Sequence, residues 1–568
     1  MRHLNRLLPR LVILGIAVAA GPGVALGGPA VQEGTLFTGA TVFAGFDGRR
    51  ADALRRPAGA SAVLVEQGRI VAIGAEGELA STDAGRRARR VDLTGGFIYP
   101  GFQDANGQLE RLGRDLEQVD LADCAGGEAL VNALQERAAT LPAGRWVEAF
   151  GWDSVRQGGG SAQERAELAA TISRALPQHP VVLRARSRDG LLLNRAGWAA
   201  CGAEADAGGA GDWLQGEAAT AALSRLPSPT AEDRTRRILR AQETLLRSGL
   251  TCVHVTDLDA AGASALAQLR ADGRLRIRVV GFLDARVDAT PGEWKQWERD
   301  PSGADRFEAV GVSLCLDGSL ATRGAALGRS YSDAPRQRGE LSIGLARASD
   351  LVVKAARSGR QPALRCTGDR AVGQALDIFG RARAEFPGLI GLRPRLEGLD
   401  LWLSVERQRL RSLGAVPSVQ PGRLGYQAGW IGQRLGRDRA LGLQPWGSLL
   451  SAASQPLALG SGYPAAVADP RVTFFSAVSR RSVAAPTVSG FVPGQSLTAN
   501  QALGGMTSGA AFAATQEDRR GLLARGYGGD LTVLDVDLTQ LGPGDARGAL
   551  EAAVLMTVVN GEILHDAR

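Results

Sequence analysis

Short apolar runs broken by turn residues open and close the chain. Residues 62–65 (Ala-Val-Leu-Val) and 70–74 (Ile-Val-Ala-Ile-Gly) flank Glu66-Gln67-Gly68-Arg69, which predicts a hairpin. Near the other end, apolar runs at 530–535 and 554–559 lead to Asn560-Gly561 and a further strand at 562–564. Asn-Gly between apolar runs is a strong hairpin signal. Two β-rich ends around a long middle predict one small β domain assembled from both termini.

The middle changes period. Helical patterns over 128–140, 229–248 and 348–358 are each followed by a short apolar strand, at 146–151, 251–255 and 362–366. Further strands are expected at 181–185, 277–282, 311–316 and 415–420. Helix alternating with strand predicts βα units and a parallel sheet, and the count and length suit a (β/α)8 barrel. The junction lies at 95–108, GGFIYPGFQDANGQ. There Phe97-Ile98-Tyr99 meets a Pro100-Gly101 turn, then Phe102 and a polar tip, Asp104-Ala105-Asn106-Gly107-Gln108. The expected organisation is 28–96 and 486–568 for the small β domain, the latter with the last barrel helix, and 97–485 for the barrel.

The first residues belong to neither domain. Arg2, Arg6 and Arg10 precede an apolar run over 11–20 and a small-residue pattern, Ala25-Leu26-Gly27, predicting a signal peptide at 1–27 and an exported, periplasmic or secreted protein. The apolar run is shorter than the ~20 residues a spanning helix needs, so no membrane role beyond export is expected.

A hydrophobic content of 44% with 22% charged residues describes a soluble globular chain. The net charge of +7 comes almost wholly from arginine, with lysine only at 295 and 354, and no stripe interleaves aromatic with basic residues. Nucleic acid is therefore not expected as a partner. The run 86–90 reads as a solvated loop. The 5 cysteines are widely spaced, and an odd count leaves at least one thiol free or paired between chains. Cys252 and Cys315 lie in apolar runs and are expected to be buried, and one disulfide is left open.

Several long motifs, in order along the chain, resemble the amidohydrolase superfamily, in particular the branch containing N-substituted formamide deformylases. They include the Pro100-Gly101-Phe102-Gln103-Asp104 turn, Gly151-Trp152-Asp153, and Gly311 to Leu320 followed by Arg323, Ala325-Ala326-Leu327 and Tyr331-Ser332-Asp333. Gly368-Asp369-Arg370-Ala371-Val372, Ser418-Val419-Gln420-Pro421, Thr507 and Gly529-Asp530-Leu531 continue the match. The resemblance implies a TIM-like barrel with a β-sandwich built from both termini. It also implies one or two divalent metals, such as zinc, at the C-terminal face of the barrel. There a metal would acidify a bound water and polarise a carbonyl.

The ligand positions carried over from the family read differently here. The first-strand His-x-His falls on Asn106 and Gln108, the carboxylatable lysine on Ser313, and the fifth-strand His on Arg365. The sixth-strand Glu-His pair reads Glu397-Gly398, and the final aspartate falls on Gly462. A substrate-side His is expected within 187–190, where none stands. Of the 4 histidines, at 3, 179, 254 and 565, His254 alone is expected near the barrel mouth. Amides and aliphatic groups bind zinc-like ions poorly, and Arg365 would oppose a dication.

The reading is a metal-free, catalytically inactive homologue, a pseudoenzyme, that binds a small ligand or a protein partner; a homo-oligomer is left open and no cofactor is expected. The alternative is a hydrolase of carbon-nitrogen (non-peptide) or ester bonds acting through an unrecognised site. Its candidate residues are Asp369, Asp317, Glu397 and His254. Arg365, Asp104 and Arg323 are candidates for ligand binding, with Arg365 expected to pair with Asp369, Glu397 or Asp317.

Overall fold

The computed structural model of the protein describes residues 34–46, 54–121, 124–152, 157, 161–185, 190–202, 214, 216–226, 228–286, 291–298, 306–483 and 489–568. The expected signal peptide and residues 187–189 lie outside them. Both hairpin signals fold as such. Ala62–Glu66 pairs antiparallel with Arg69–Gly74, and Val554–Val559 with Glu562–Asp566. The turn residues Gln67 and Gly68 have φ of 49° and 75°, and Asn560 and Gly561 57° and 75°, the double left-handed turn that matches the twist of paired strands.

Two sheets result. One joins Arg69–Gly74, Ala62–Glu66, Thr35–Thr38 and Arg89–Asp92; the other joins Thr41–Val42, Phe97–Pro100, Leu531–Leu534, Val554–Val559 and Glu562–Asp566. Phe37, Val63 and Val91 of the first bury against Ile98, Val533 and Met556 of the second. Phe97–Pro100 pairs with Leu531–Leu534, Ile98 opposite Val533, so the sandwich runs on through Pro100. The arginine run is not a loop. Asp83–Arg87 is a short helix, and Arg89–Asp92 is a strand that exposes both its arginines and buries Val91.

The barrel begins after the Pro-Gly turn. Its strands, all parallel to their neighbours, are β1 (Phe102–Gly107), β2 (Leu250–Leu258), β3 (Arg278–Asp284), β4 (Phe307–Cys315), β5 (Gln361–Cys366), β6 (Arg395–Gly398), β7 (Val416–Val419) and β8 (Ala458–Leu459). The open edge between β8 and β1 is bridged by side chain and turn. Ser461 donates its backbone N–H and its hydroxyl to the buried carboxyl of Asp104, and Gly462 N–H donates to the Asn106 carbonyl at 2.9 Å. Gly460 permits that approach, since a Cβ there would lie 2.3 Å from the Asn106 nitrogen. At the start of β3, buried Arg278 donates to both oxygens of Asp530, at 2.7 and 2.9 Å, and ties the barrel to the sandwich.

Two expected barrel strands belong elsewhere. Val147–Trp152 and Val181–Ala185 join Val119–Asp120 and Leu191–Leu193 in a separate sheet inserted between β1 and β2. Helices Gly127–Ala139 and Ala162–Ala175 cover this sheet, and Leu130, Leu134, Val147, Ile172 and Leu183 form its own core. The chain returns to the barrel through helix Ala231–Arg247. Its first turn is closed by a capping box between Thr230 and Asp233, which satisfies backbone N–H groups the helix cannot.

Candidate functional site

Inside the barrel the deciding side chain is Arg395, at the start of β6 and wholly buried. Its Nη2 lies 2.6 Å from Glu397 Oε1 and donates to the Ala105 carbonyl at 2.9 Å and to Ser418 Oγ at 3.2 Å. Its guanidinium carbon stands 4.7 Å from the centre of the Phe282 ring. The other Glu397 oxygen accepts from Asn106 Nδ2 at 2.8 Å. Burial pulls Arg395 below its ordinary pKa, against the opposing pull of Glu397.

His254, on β2, is also fully buried and faces this pair rather than the solvent at the mouth. Its Nδ1 lies 3.2 Å from Arg395 Nη1. A guanidinium only donates, so Nδ1 is the acceptor and the ring proton sits on Nε2, which has no hydrogen-bond partner among the described residues. Burial first, then the charges of Arg395 and Arg520, hold the imidazole well below its ordinary pKa and keep it neutral.

At the mouth, Arg365 on β5 pairs differently from expectation. Its Nη2 and Nε donate to Cys315 Sγ at 2.8 and 3.2 Å, rather than to Asp369, Glu397 or Asp317. The register explains the choice. Arg365 stands opposite Cys315 on β4 and Glu397 on β6, and Glu397 is already held by Arg395 and Asn106. Cys315 is therefore a half-buried thiol at the strand end rather than a core residue, and Cys201, Cys252, Cys315 and Cys366 form no disulfide. Asp257, at the exposed end of β2, lies within the field of Arg365.

The remaining candidate carboxylates brace loops. Asp317 is buried and accepts from the N–H groups of Ala326, Thr367 and Gly368, at 2.9, 2.9 and 2.8 Å; burial outweighs these bonds and pushes its pKa up to about 6. Asp369 opens helix Asp369–Glu385 and accepts from Gly328 N–H. Arg323 forks onto Asp333, which Arg434 also holds. Asp104 closes the barrel, as described above. Ser313 is buried in β4, and Gln108 precedes helix Leu109–Glu117 without capping it.

Gln108 and Asp257 line a cavity of about 400 Å³ at the mouth, between helices Leu109–Glu117 and Ala231–Arg247 and the inserted sheet. Arg114, Glu148, Arg234, Arg237 and Asp259 are among the charged residues of its wall.

The amidohydrolase family matches this sequence over residues 89–565. The chain belongs to that family. This amidohydrolase-family protein is 26% identical over 523 residues to YtcJ of Bacillus subtilis (strain 168), a match covering 89% of this chain and 96% of that protein. It is 24% identical over 533 residues to the N-substituted formamide deformylase of Arthrobacter pascens, covering 89% and 95%. Its fold matches the crystal structure of an uncharacterized metal-dependent hydrolase from Pyrococcus horikoshii at a TM-score of 0.75 and 24% identity, over 90% of this chain and 99% of that one.

The positions that the resemblance gives as ligand positions carry two amides, a hydroxyl, a guanidinium and two glycines, a donor set that does not suit a divalent metal. Gly398 has φ 96°, and a Cβ there would lie 2.9 Å from the Cys366 carbonyl oxygen. Gly462 has φ 70°, and a Cβ would come within 2.8 Å of Gln420 and 2.9 Å of Arg423. Any side chain at either position is strained. Among the described residues no group of three or more His, Cys, Asp or Glu is placed to hold a metal ion. Arg395 was missed from sequence. Its signal is the pair Arg395 and Glu397, opposite charges two positions apart on either side of Leu396, which in a strand places both on one face.

Proposed function

We propose that this amidohydrolase-fold protein is a metal-free, catalytically silent binding protein whose cleft at the barrel mouth takes a small-molecule ligand. The observation that carries this reading is the fork of Arg365 on Cys315. A permanent cation occupies a family ligand position and is locked there by its neighbour. The left-handed backbones at Gly398 and Gly462 support it, because restoring one ligand would not restore the geometry of the others. The N-terminal segment supports export, which cell fractionation tests.

The purified protein, incubated with zinc and desalted, is expected to hold far less than one metal per chain. It is also expected to leave panels of formamides, N-acyl compounds and esters unchanged. One zinc, iron or manganese per chain, with hydrolysis that follows the protein through purification, overturns the reading. A second reading, hydrolysis of carbon-nitrogen or ester bonds through an unrecognised site, is favoured by the thiol of Cys315 standing at the mouth. Activity that vanishes in Cys315→Ala or Asp369→Ala would replace the first reading with this one.

A further inference from the structure

Next to the mouth cavity lies a recess of about 230 Å³, enclosed by the inserted sheet and the helices Leu109–Glu117 and Ala231–Arg247. The two spaces share Arg114, Glu148 and Arg237 in their walls. The charges of the recess do not balance. Glu148 is held by Arg114 at 2.7 Å and by Arg184 at 2.8 Å. Glu117 is held by Arg236 at 2.6 Å and Arg237 at 3.0 Å. Asp233 is held by Arg145 at 2.7 Å and Arg236 at 2.8 Å. Each carboxylate of the wall thus already answers two guanidiniums.

Arg137 also lines this recess, and no carboxylate among the described residues lies within ion-pair distance of it. Its guanidinium reaches Thr140 Oγ1 at 3.2 Å. Burial holds it below its ordinary pKa; Glu117 pulls the other way, and the like charges of Arg240 and Arg236 add to the depression. A half-buried cation among other cations is stabilised by an anion brought alongside, since Coulomb repulsion is then replaced by attraction in a partly water-excluded space. The planar guanidinium fork matches a carboxylate or phosphate in shape and in hydrogen-bonding geometry.

We infer that the recess binds a small oxyanion, the carboxylate or phosphate end of a small-molecule ligand, with Arg137 as its principal cation. The rest of such a ligand extends along the shared wall into the mouth cavity beside Gln108 and Asp257. This deepens the binding-protein reading and rests on it for the use of the cleft. It does not depend on the metal content of the barrel.

The test titrates the purified full-length protein with inorganic phosphate and with citrate, at low ionic strength, by calorimetry and thermal shift. The variants are Arg137→Gln, Arg137→Lys and, as a control on the sandwich surface, Arg87→Gln, all checked for folding by circular dichroism. Saturable binding is expected in the parent and in Arg87→Gln. It should weaken about ten-fold in Arg137→Gln, the scale of one charge-assisted hydrogen bond, and less in Arg137→Lys. Added salt should weaken it in all of them. Phosphate binding without citrate binding, or the reverse, separates the two oxyanion sources. No saturable binding of either, or equal binding in Arg137→Gln and the parent, overturns the proposal. Metal content is measured on the same samples. One metal per chain with Arg137-dependent binding would sink the metal-free reading and leave the anion site standing.

Discussion

Arg395 and Glu397 set the character of the barrel interior. Both are buried, and each satisfies charge that the other would otherwise leave bare. Removing one partner of a buried pair strands the other, while replacing both with apolar groups is far better tolerated. Arg395→Met is therefore expected to destabilise the protein by about 3–5 kcal/mol in urea unfolding, and Arg395→Met with Glu397→Leu to recover most of that loss. A double variant no more stable than the single one would show that the pair does not act as a unit.

His254 makes the fold sensitive to acid. Its pKa in the fold lies well below the ordinary value of about 6.5. Above that pH both states carry a neutral ring and the residue has no effect. As the pH falls below about 6.5 the unfolded chain takes up a proton that the fold refuses, so stability drops, by at most about 1.4 kcal/mol per pH unit. Asp317, pushed up to about 6, works the other way, because the fold binds its proton before the unfolded chain does. The comparison is therefore between the parent and His254→Gln. The difference in unfolding free energy between them should change below pH 6.5 and stay constant above it. At this scale the sequence supplies identity and motif context alone, as at Asn106, Gln108 and Arg365. The partner of Arg365 was not legible, since it follows from strand register and from a prior claim on Glu397 by a residue thirty positions away in the chain and adjacent in space.

At the scale of elements, barrel closure hangs on a strand of two residues, Ala458–Leu459, and the turn after it. Gly460→Ala would place a methyl group against the Asn106 nitrogen. It should destabilise by about 1–3 kcal/mol in thermal or urea unfolding, the usual scale of overpacking. A neutral substitution would show that the edge between β8 and β1 can open without consequence. Asp104 has its meaning at this scale as well. It reads as a candidate for ligand binding because it sits in a motif beside ligand positions, yet its carboxyl is spent on Ser461 and the Asn106 N–H. The inserted sheet shows a limit of the same kind. Two of its four strands, Val147–Trp152 and Val181–Ala185, and the helix Gly127–Ala139 fall close to where the sequence pattern puts them, whereas Val119–Asp120 and Leu191–Leu193 give no such signal. Local alternation cannot say which sheet a strand joins, and Val147–Trp152 found partners outside the barrel.

For the whole molecule, the sequence by itself determined the class of fold. The hairpin turns at Gln67-Gly68 and Asn560-Gly561, the alternation of helix and strand, and the Pro100-Gly101 break are local signals, and local sterics and periodicity are enough to read them. It also determined the chemical groups at Asn106, Gln108, Ser313, Arg365, Gly398 and Gly462, because residue identity needs no fold. The tertiary structure alone decided where the charges go. It put Arg395, Glu397 and His254 into one buried network with half-buried Asn106, set Arg365 on Cys315, and left Arg137, at the wall of a recess, without an ion-pair partner among the described residues. Electrostatic pairing depends on distances of a few ångströms between residues remote in sequence, and those distances exist only once the sheets have closed.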